Sequence, residues 1–325
     1  MNLETTYLGI PLRHPLVIGS SSLTNDLDMV KELEDNGAAA LVLRSLYEDD
    51  IAAEQMDAFF NSESHGESSA EAGSYFPDPE VALGPEEYLE HLRRVKQAVD
   101  MPVFASLNGA STGGWISYAR LLEQAGADGI ELDLYHSASD VATSAAEVED
   151  QMIETVREVK QAIRIPIAAK LSPLFTAFAN FGCRLDAVGV DGIVVFTRFH
   201  KIDIDVVDLE VVRSLELSDS SELQLRLRAA AVLAGRVNAS IAISGGVHTV
   251  LDVVKATMAG ASVMQLVSCI LKNGPRHLRT LRAEIGAWMA VNEWESLEEM
   301  RGNMSFHRVP DPGVYERDAF RRMFR

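Results

Sequence analysis

The sequence predicts a (β/α)8 barrel, the TIM-barrel architecture, on three observations. Helical stretches end in glycine and step directly into apolar runs, eight strand-like runs follow one another, and no composition break divides the 325 residues. Glycine ends a helix in the left-handed conformation, and a continuous apolar run suits a strand buried on both faces. Eight parallel strands with crossover helices close into a barrel. The rival, a doubly wound open sheet, needs a GxGxxG turn after an early strand, and none is present.

The elements follow in order. The first strand is "PLVIGSS" at 15–21, followed by a helix over 26–36. The second, within "NGAAALVLRS" at 36–45, starts from a Gly-Ala helix stop, and its helix comes only at 85–99. The third and fifth strands, "MPVFASL" at 101–107 and "IPIAAKL" at 165–171, start after a proline, which ends a helix and is tolerated at a strand start. The fourth, sixth and eighth lie within "AGADGIELDL" at 125–134, "VGVDGIVVFT" at 188–197 and "AGASVMQLVS" at 259–268. The seventh is "SIAISGG" at 240–246. Helices are expected at 113–125, 146–163, 174–188, 220–236 and 249–259.

Two segments fall outside the repeat. Residues 46–84 form an acidic, Ser-rich insertion. It leaves from the C-terminal face, where barrel active sites lie, so it reads either as a surface excursion or as a lid. Residues 290–325 form a C-terminal extension with a basic end, "YERDAFRRMFR", expected to pack on the barrel or on a second subunit.

The formal net charge of −19 argues against nucleic-acid and anionic-membrane binding. The N-terminus reads as no signal peptide, and no window reaches the roughly 18 apolar residues of a membrane span. Cys183 and Cys269 form no zinc-like spacing, so the thiols read as reduced and the location as cytoplasmic.

Polar groups converge at the strand ends: Ser20, Ser21 and Ser22; Arg44 and Ser45; Ser106 and Asn108; Asp133, Tyr135 and His136; Lys170 and Ser172; Thr197 and Arg198; Ser244, Gly245 and Gly246; Val267 and Ser268. No zinc-like histidine cluster and no G-x-S-x-G elbow is among them. The Gly-Gly after the seventh strand reads either as a tight turn or, with Ser268 after the eighth, as the usual phosphate site of a barrel, and the strand-seven position favours the phosphate. Lys170 ends an apolar strand, where a lysine needs a partner. It reads as a cation for an anionic ring, as a Schiff-base lysine, or as the structural partner of Asp133 or Glu131.

The ordered set "LGIPLRHPLVIGSSSLT", "GPEEYLEHLRRVK", "FASLNGASTGGW", "AGADGIELDLY", "IPIAAKLSP", "DGIVVFTRFHKIDID" and "ISGGVHTVLDVVKATMAGASVMQLVS" resembles the flavin-dependent dihydroorotate dehydrogenase family, in a divergent branch. The resemblance covers roughly residues 1–305 and implies one FMN-binding barrel domain over 1–325. It implies small residues under the flavin at Ser20 and Ser21, a replaced Lys-Thr or Lys-Ser pair at Arg44 and Ser45, and a polar contact at Asn108. Lys170 matches the lysine at the flavin's pyrimidine edge, and Ser244, Gly245, Gly246, Val267 and Ser268 match the phosphate cradle.

The match fails after the fourth strand. The family motif Asn-Leu-Ser-Cys-Pro-Asn is here Asp133-Leu134-Tyr135-His136-Ser137-Ala138, and an asparagine expected after the sixth strand is Thr197. Asp133 and Thr197 therefore join the expected cofactor contacts, while His136, then Tyr135, replaces the base cysteine. Histidine titrates near neutral pH and suits that role.

The first reading is an FMN-dependent oxidoreductase acting on a CH–CH bond of a small, pyrimidine-like substrate, with His136, Lys170 and Tyr135 as catalytic candidates. One alternative is a flavin-binding, electron-relay subunit without substrate chemistry. Another is a Lys170-dependent lyase or isomerase acting on a phosphorylated metabolite. Beyond the substrate, the partners considered are an electron-acceptor protein and a second copy of the chain. No metal is expected.

Overall fold

The computed structural model describes residues 1–47, 85–109, 112–135, 139–197, 202–213 and 216–316. Eight parallel strands close into a barrel: β3 (Leu16–Ile18), β4 (Leu41–Tyr47), β5 (Val103–Asn108), β6 (Gly129–Leu134), β7 (Ile167–Leu171), β8 (Gly192–Val195), β11 (Ser240–Ser244) and β12 (Val263–Leu266). The barrel expected from the sequence is the fold. β4 runs to Tyr47, past the expected end at residue 45. The proposed lid over 46–84 otherwise lies outside the described residues.

Helices α1 (Leu27–Asp35), α2 (Pro85–Ala98), α3 (Thr112–Gln124), α4 (Ala145–Ala162), α5 (Phe178–Ala187), α6 (Leu223–Leu233) and α7 (Val250–Ala259) make the outer layer. Ser144 with Glu147, and Thr249 with Asp252, form capping boxes that satisfy the first N–H groups of α4 and α7. The short α8 (Ser268–Asn273), then α9 (His277–Val291) and α10 (Leu297–Met300), follow β12.

The repeated Asp-Gly before β6 and β8 has a structural use. Asp128 accepts from Val103 N–H at 2.7 Å and pairs with Lys96 at 2.6 Å. Asp191 accepts from Ile167 N–H at 2.8 Å and pairs with Lys160. Each carboxylate ties its strand start to the preceding strand and helix.

An N-terminal hairpin, β1 (Thr5–Tyr7) and β2 (Ile10–Leu12), contributes to the barrel interior. Its turn residues Leu8 and Gly9 both have positive φ, +52° and +76°, the signature of a tight hairpin turn. Leucine is strained there, but its side chain is buried against Gly192, where an added Cβ would strike it. Tyr7 meets Phe104 edge to face, with ring centroids 5.6 Å apart. Tyr7, Leu8 and Leu12 share one cluster with Val17, Val42, Ala168, Val194, Ala242 and Val263, the inward residues of the strands.

The C-terminal extension packs on the barrel as far as residue 316. Gly302, Met304 and Phe306 donate backbone hydrogen bonds to Thr257, Met258 and Ala231 of α7 and α6. A second hairpin, β9 (Ile202–Asp205) with β10 (Glu210–Arg213), interrupts the connection from β8 to α6. Ile204 pairs with Val211 across it, and both are exposed.

Candidate active site

The C-terminal strand ends build a polar mouth. Gly19 after β3 lets the chain approach β12, because an added Cβ would come within 3.0 Å of the Val267 side chain and 3.2 Å of Gln265 Cβ. Three hydroxyls then bridge the ends of β3, β4 and β5. Ser20 and Ser45 lie 3.3 Å apart, and Ser45 and Ser106 2.7 Å. Ser21 instead donates to Gly19 O at 3.2 Å. Arg44 is half-buried, its backbone N–H held by the Thr24 hydroxyl at 2.9 Å.

Side chains alternate along β6, so Glu131 and Asp133 both point inward while Leu132 enters the helix layer. The Asn108 amide donates to Asp133 O at 2.9 Å and ties the end of β5 to that of β6. The Thr197 hydroxyl donates to Asp133 Oδ2 at 3.4 Å. Asp133 and Tyr135 border a small cavity of about 40 Å³ with Gly109, Trp115 and Thr155. Gly109 is required there, since an added Cβ would lie 2.7 Å from the Trp115 ring. His136 and Arg198 lie outside the described residues.

Lys170 is opposite Asp133 in strand register, yet its ammonium donates to Glu131, one pleat deeper, at 3.0 Å. The Gln265 amide donates to the other oxygen of the same carboxylate. All three residues are buried. Burial works to lower the Lys170 pKa, but the charge of Glu131, then that of Asp133, outweighs it, and the net direction is upward. The structural pairing read as an alternative from the sequence is present, with Glu131 as its partner. A Schiff-base role would need the neutral amine, which this arrangement opposes.

At the other side of the mouth, Gly245 and Gly246 have φ of +87° and +79°. Gly246 N–H donates to the Ser218 hydroxyl at 3.3 Å, and Ser218 N–H donates to Ser268 Oγ at 3.1 Å. Lys272 Nζ reaches Ser218 O at 2.9 Å. Val267 caps the start of α8, and Arg226 donates to Ser244 O. His248 Nε2 is buried with no partner among the described residues. Burial and the Lys272 charge lower the pKa of His248.

This end fits a phosphate. Two glycines allow close backbone approach, a serine starts a helix beside them, and a lysine supplies charge. At the mouth, the bridged hydroxyls of Ser20, Ser45 and Ser106 lie on the strand ends across the barrel from Lys170. Ser218, Lys272 and Arg226 were missed from the sequence because they come from segments without a motif. Gln265 had a visible signal, a polar residue inside the apolar run "VMQLV".

A model of the family described as dihydroorotate dehydrogenase matches residues 82–289. The dihydroorotate dehydrogenase B (NAD(+)), catalytic subunit, of Pyrococcus abyssi (strain GE5 / Orsay) is 25% identical over 313 residues, covering 92% of this chain and 98% of that protein. The protein of the same description from Thermoplasma volcanium is 25% identical over 314 residues, 93% of this chain and 98% of that one. The NAD-dependent dihydropyrimidine dehydrogenase subunit PreA of Escherichia coli (strain K12) is 24% identical over 330 residues, 95% of this chain and 78% of that one. With more than half its length matched, and on a closed parallel barrel, the chain belongs to the dihydroorotate dehydrogenase family of flavin-dependent oxidoreductases.

Proposed function

We propose that the protein binds FMN across the barrel mouth and transfers a hydride between the flavin and a CH–CH bond of a small, pyrimidine-like substrate. The observation that carries this reading is the meeting of two half-sites on one barrel face. The glycine turn with Ser268 suits the phosphate, and the hydroxyl bridge with Lys170 suits the ring. When bound, FMN supplies the hydride acceptor and donor.

The chain's residues do the rest. Ser244, Gly245, Gly246, Val267 and Ser268 would hold the phosphate. Ser20, Ser21, Arg44, Ser45 and Asn108 would support the ring, and Lys170 would supply positive charge to it. Asp133, which accepts from the Thr197 hydroxyl, would join Thr197 in contacting the cofactor. Tyr135 and His136 follow β6 and are the candidates for moving the proton that accompanies the hydride.

An electron-accepting partner protein is part of this reading, supported by relatives described as a catalytic subunit and as a subunit. Self-association is supported by the exposed apolar pair Ile204 and Val211. The described residues contain no helix long and apolar enough to cross a membrane. Cys183 and Cys269 are both free thiols.

The test is the absorption spectrum of the purified protein and of protein reconstituted with excess FMN. A bound flavin spectrum that substrate bleaches without air is expected. No flavin after reconstitution overturns the cofactor, and bound flavin that no pyrimidine-like compound reduces or reoxidises favours the electron-relay alternative.

A further inference from the structure

The barrel interior holds a buried ion pair between Lys170 and Glu131. Glu131 lies in mid-strand, 1% exposed, and takes both the Lys170 ammonium and the Gln265 amide. A buried carboxylate is costly unless its oxygens are bonded, and here each oxygen has its own donor from a different strand. The geometry also sets a choice. Asp133 is level with Lys170 in the sheet, but the ammonium lies on Glu131 below it.

We infer that Glu131, oriented by Gln265, is a positioning residue that fixes the Lys170 ammonium one pleat below the mouth of the barrel and keeps it from closing on Asp133. This rests on the FMN reading above for its place in catalysis, although the geometry exists without the cofactor. The groups that face Lys170 are Glu131 and Asp133 from β6 and Tyr47 from the end of β4. Gln265 acts from β12 through Glu131. With two carboxylates beside one ammonium, removal of the deeper one leaves Asp133 as the sole carboxylate partner among these groups. The ammonium then rises one pleat and takes up the carboxylate that faces the substrate side.

The consequences separate a positioning role from a merely structural one. Burial lowers a lysine pKa, and Glu131 is the first charge that opposes this. In Glu131→Gln, Lys170 should therefore lose its proton at lower pH than in wild type. The dissociation constant for FMN should rise about tenfold, the scale of one misplaced charge-assisted hydrogen bond. Because the effect passes through Lys170, Glu131→Gln should add little to Lys170→Met in the double variant.

The experiment titrates the Lys170 side-chain carbon signal by NMR in flavin-free protein, for wild type and Glu131→Gln, with FMN affinity measured separately by fluorescence quenching. A downward displacement of the Lys170 titration, with non-additive FMN affinities, is expected. The same Lys170 titration in a folded Glu131→Gln protein overturns the inference, as do additive losses. If that variant does not fold, Gln265→Met serves, since it leaves the ion pair and removes only the amide that orients Glu131. It should displace the titration in the same direction by less, and an unchanged titration again overturns the inference. Failure of wild type to bind FMN would refute the cofactor reading and leave the titration result standing.

Discussion

The backbone N–H of Gly246 donates to the hydroxyl of Ser218 across 3.3 Å, which joins the turn after β11 to a segment 28 residues earlier. Ser218 is buried, and its own N–H is held by Ser268, so one serine spans both halves of the expected phosphate site.

Ser218→Asp should therefore weaken FMN binding strongly. A carboxylate about 4 Å from a phosphate charge, at an effective dielectric near 20, costs roughly 4 kcal/mol, or about a thousandfold in affinity. Ser218→Ala, which adds no charge, should change affinity by far less. Flavin fluorescence quenching reads both constants, and equal losses in the two variants would refute the electrostatic argument.

Gly246 is constrained by packing as well as by its place in the expected phosphate site. An added Cβ would lie 2.6 Å from Leu223 N and 2.8 Å from its Cα, at the start of α6. With φ at +79°, Gly246→Ala should cost at least about 1 kcal/mol of stability. A lower melting temperature in flavin-free protein is expected, and an unchanged one would mean that the turn relaxes without cost.

Dihydroorotate should be a poor substrate. Asp133, the penultimate residue of β6, points inward, and an ionised carboxylate can only accept hydrogen bonds. Beside a substrate carboxylate about 4 Å away it costs roughly 4 kcal/mol at an effective dielectric near 20, an upper bound because Lys170 offsets part of it. Turnover with a dye acceptor should be slow in wild type, and orotate should bind more tightly to Asp133→Asn. Efficient wild-type turnover, or unchanged orotate affinity in the variant, would refute the prediction.

Acid should destabilise the fold through His14. The side chain is 3% exposed and its Nδ1 accepts from Leu16 N–H at 3.3 Å. Burial, then the Arg282 charge, lowers its pKa to about 4. The folded protein thus binds fewer protons than the unfolded chain below pH 6.5, the ordinary value. The stabilisation is complete above that pH and falls as pH drops toward the folded value, by about 3 kcal/mol in all. The melting temperature of His14→Asn should fall less than that of wild type between neutral pH and pH about 4.5. An identical fall in both would assign acid sensitivity elsewhere.

Tyr7 tests the hairpin inside the barrel. Its hydroxyl is buried with no partner among the described residues, and burial, then Glu131, raises its pKa. Tyr7→Phe should leave the melting temperature unchanged or raise it, since an unsatisfied buried hydroxyl is removed. Tyr7→Ala should cost about 3–5 kcal/mol, the loss of a buried aromatic ring. A large fall in Tyr7→Phe would reveal a hydrogen bond to that oxygen.

The barrel was legible in the sequence because its signals are local. A helix stop at Gly-Ala or proline, followed by an apolar run, specifies a buried strand wherever it occurs, and eight repeats leave one closed solution. The strand-end residues were legible for the same reason, since the end of a run marks the mouth. What the run cannot encode is reach across the barrel. Lys170 pairs with Glu131 and not with the in-register Asp133, and closure of the sheet brings Gln265, from 134 residues away, onto the same carboxylate. Gly246 is confined by Leu223, and Ser218 enters the cradle, because helix packing delivers α6 and the segment before it to that turn. The hairpin of Leu8 was not read from the sequence, and Gly192 receives the leucine because the absent side chain leaves room at that strand start. Local pattern determined which residues face the mouth, and tertiary closure decided which of them meet.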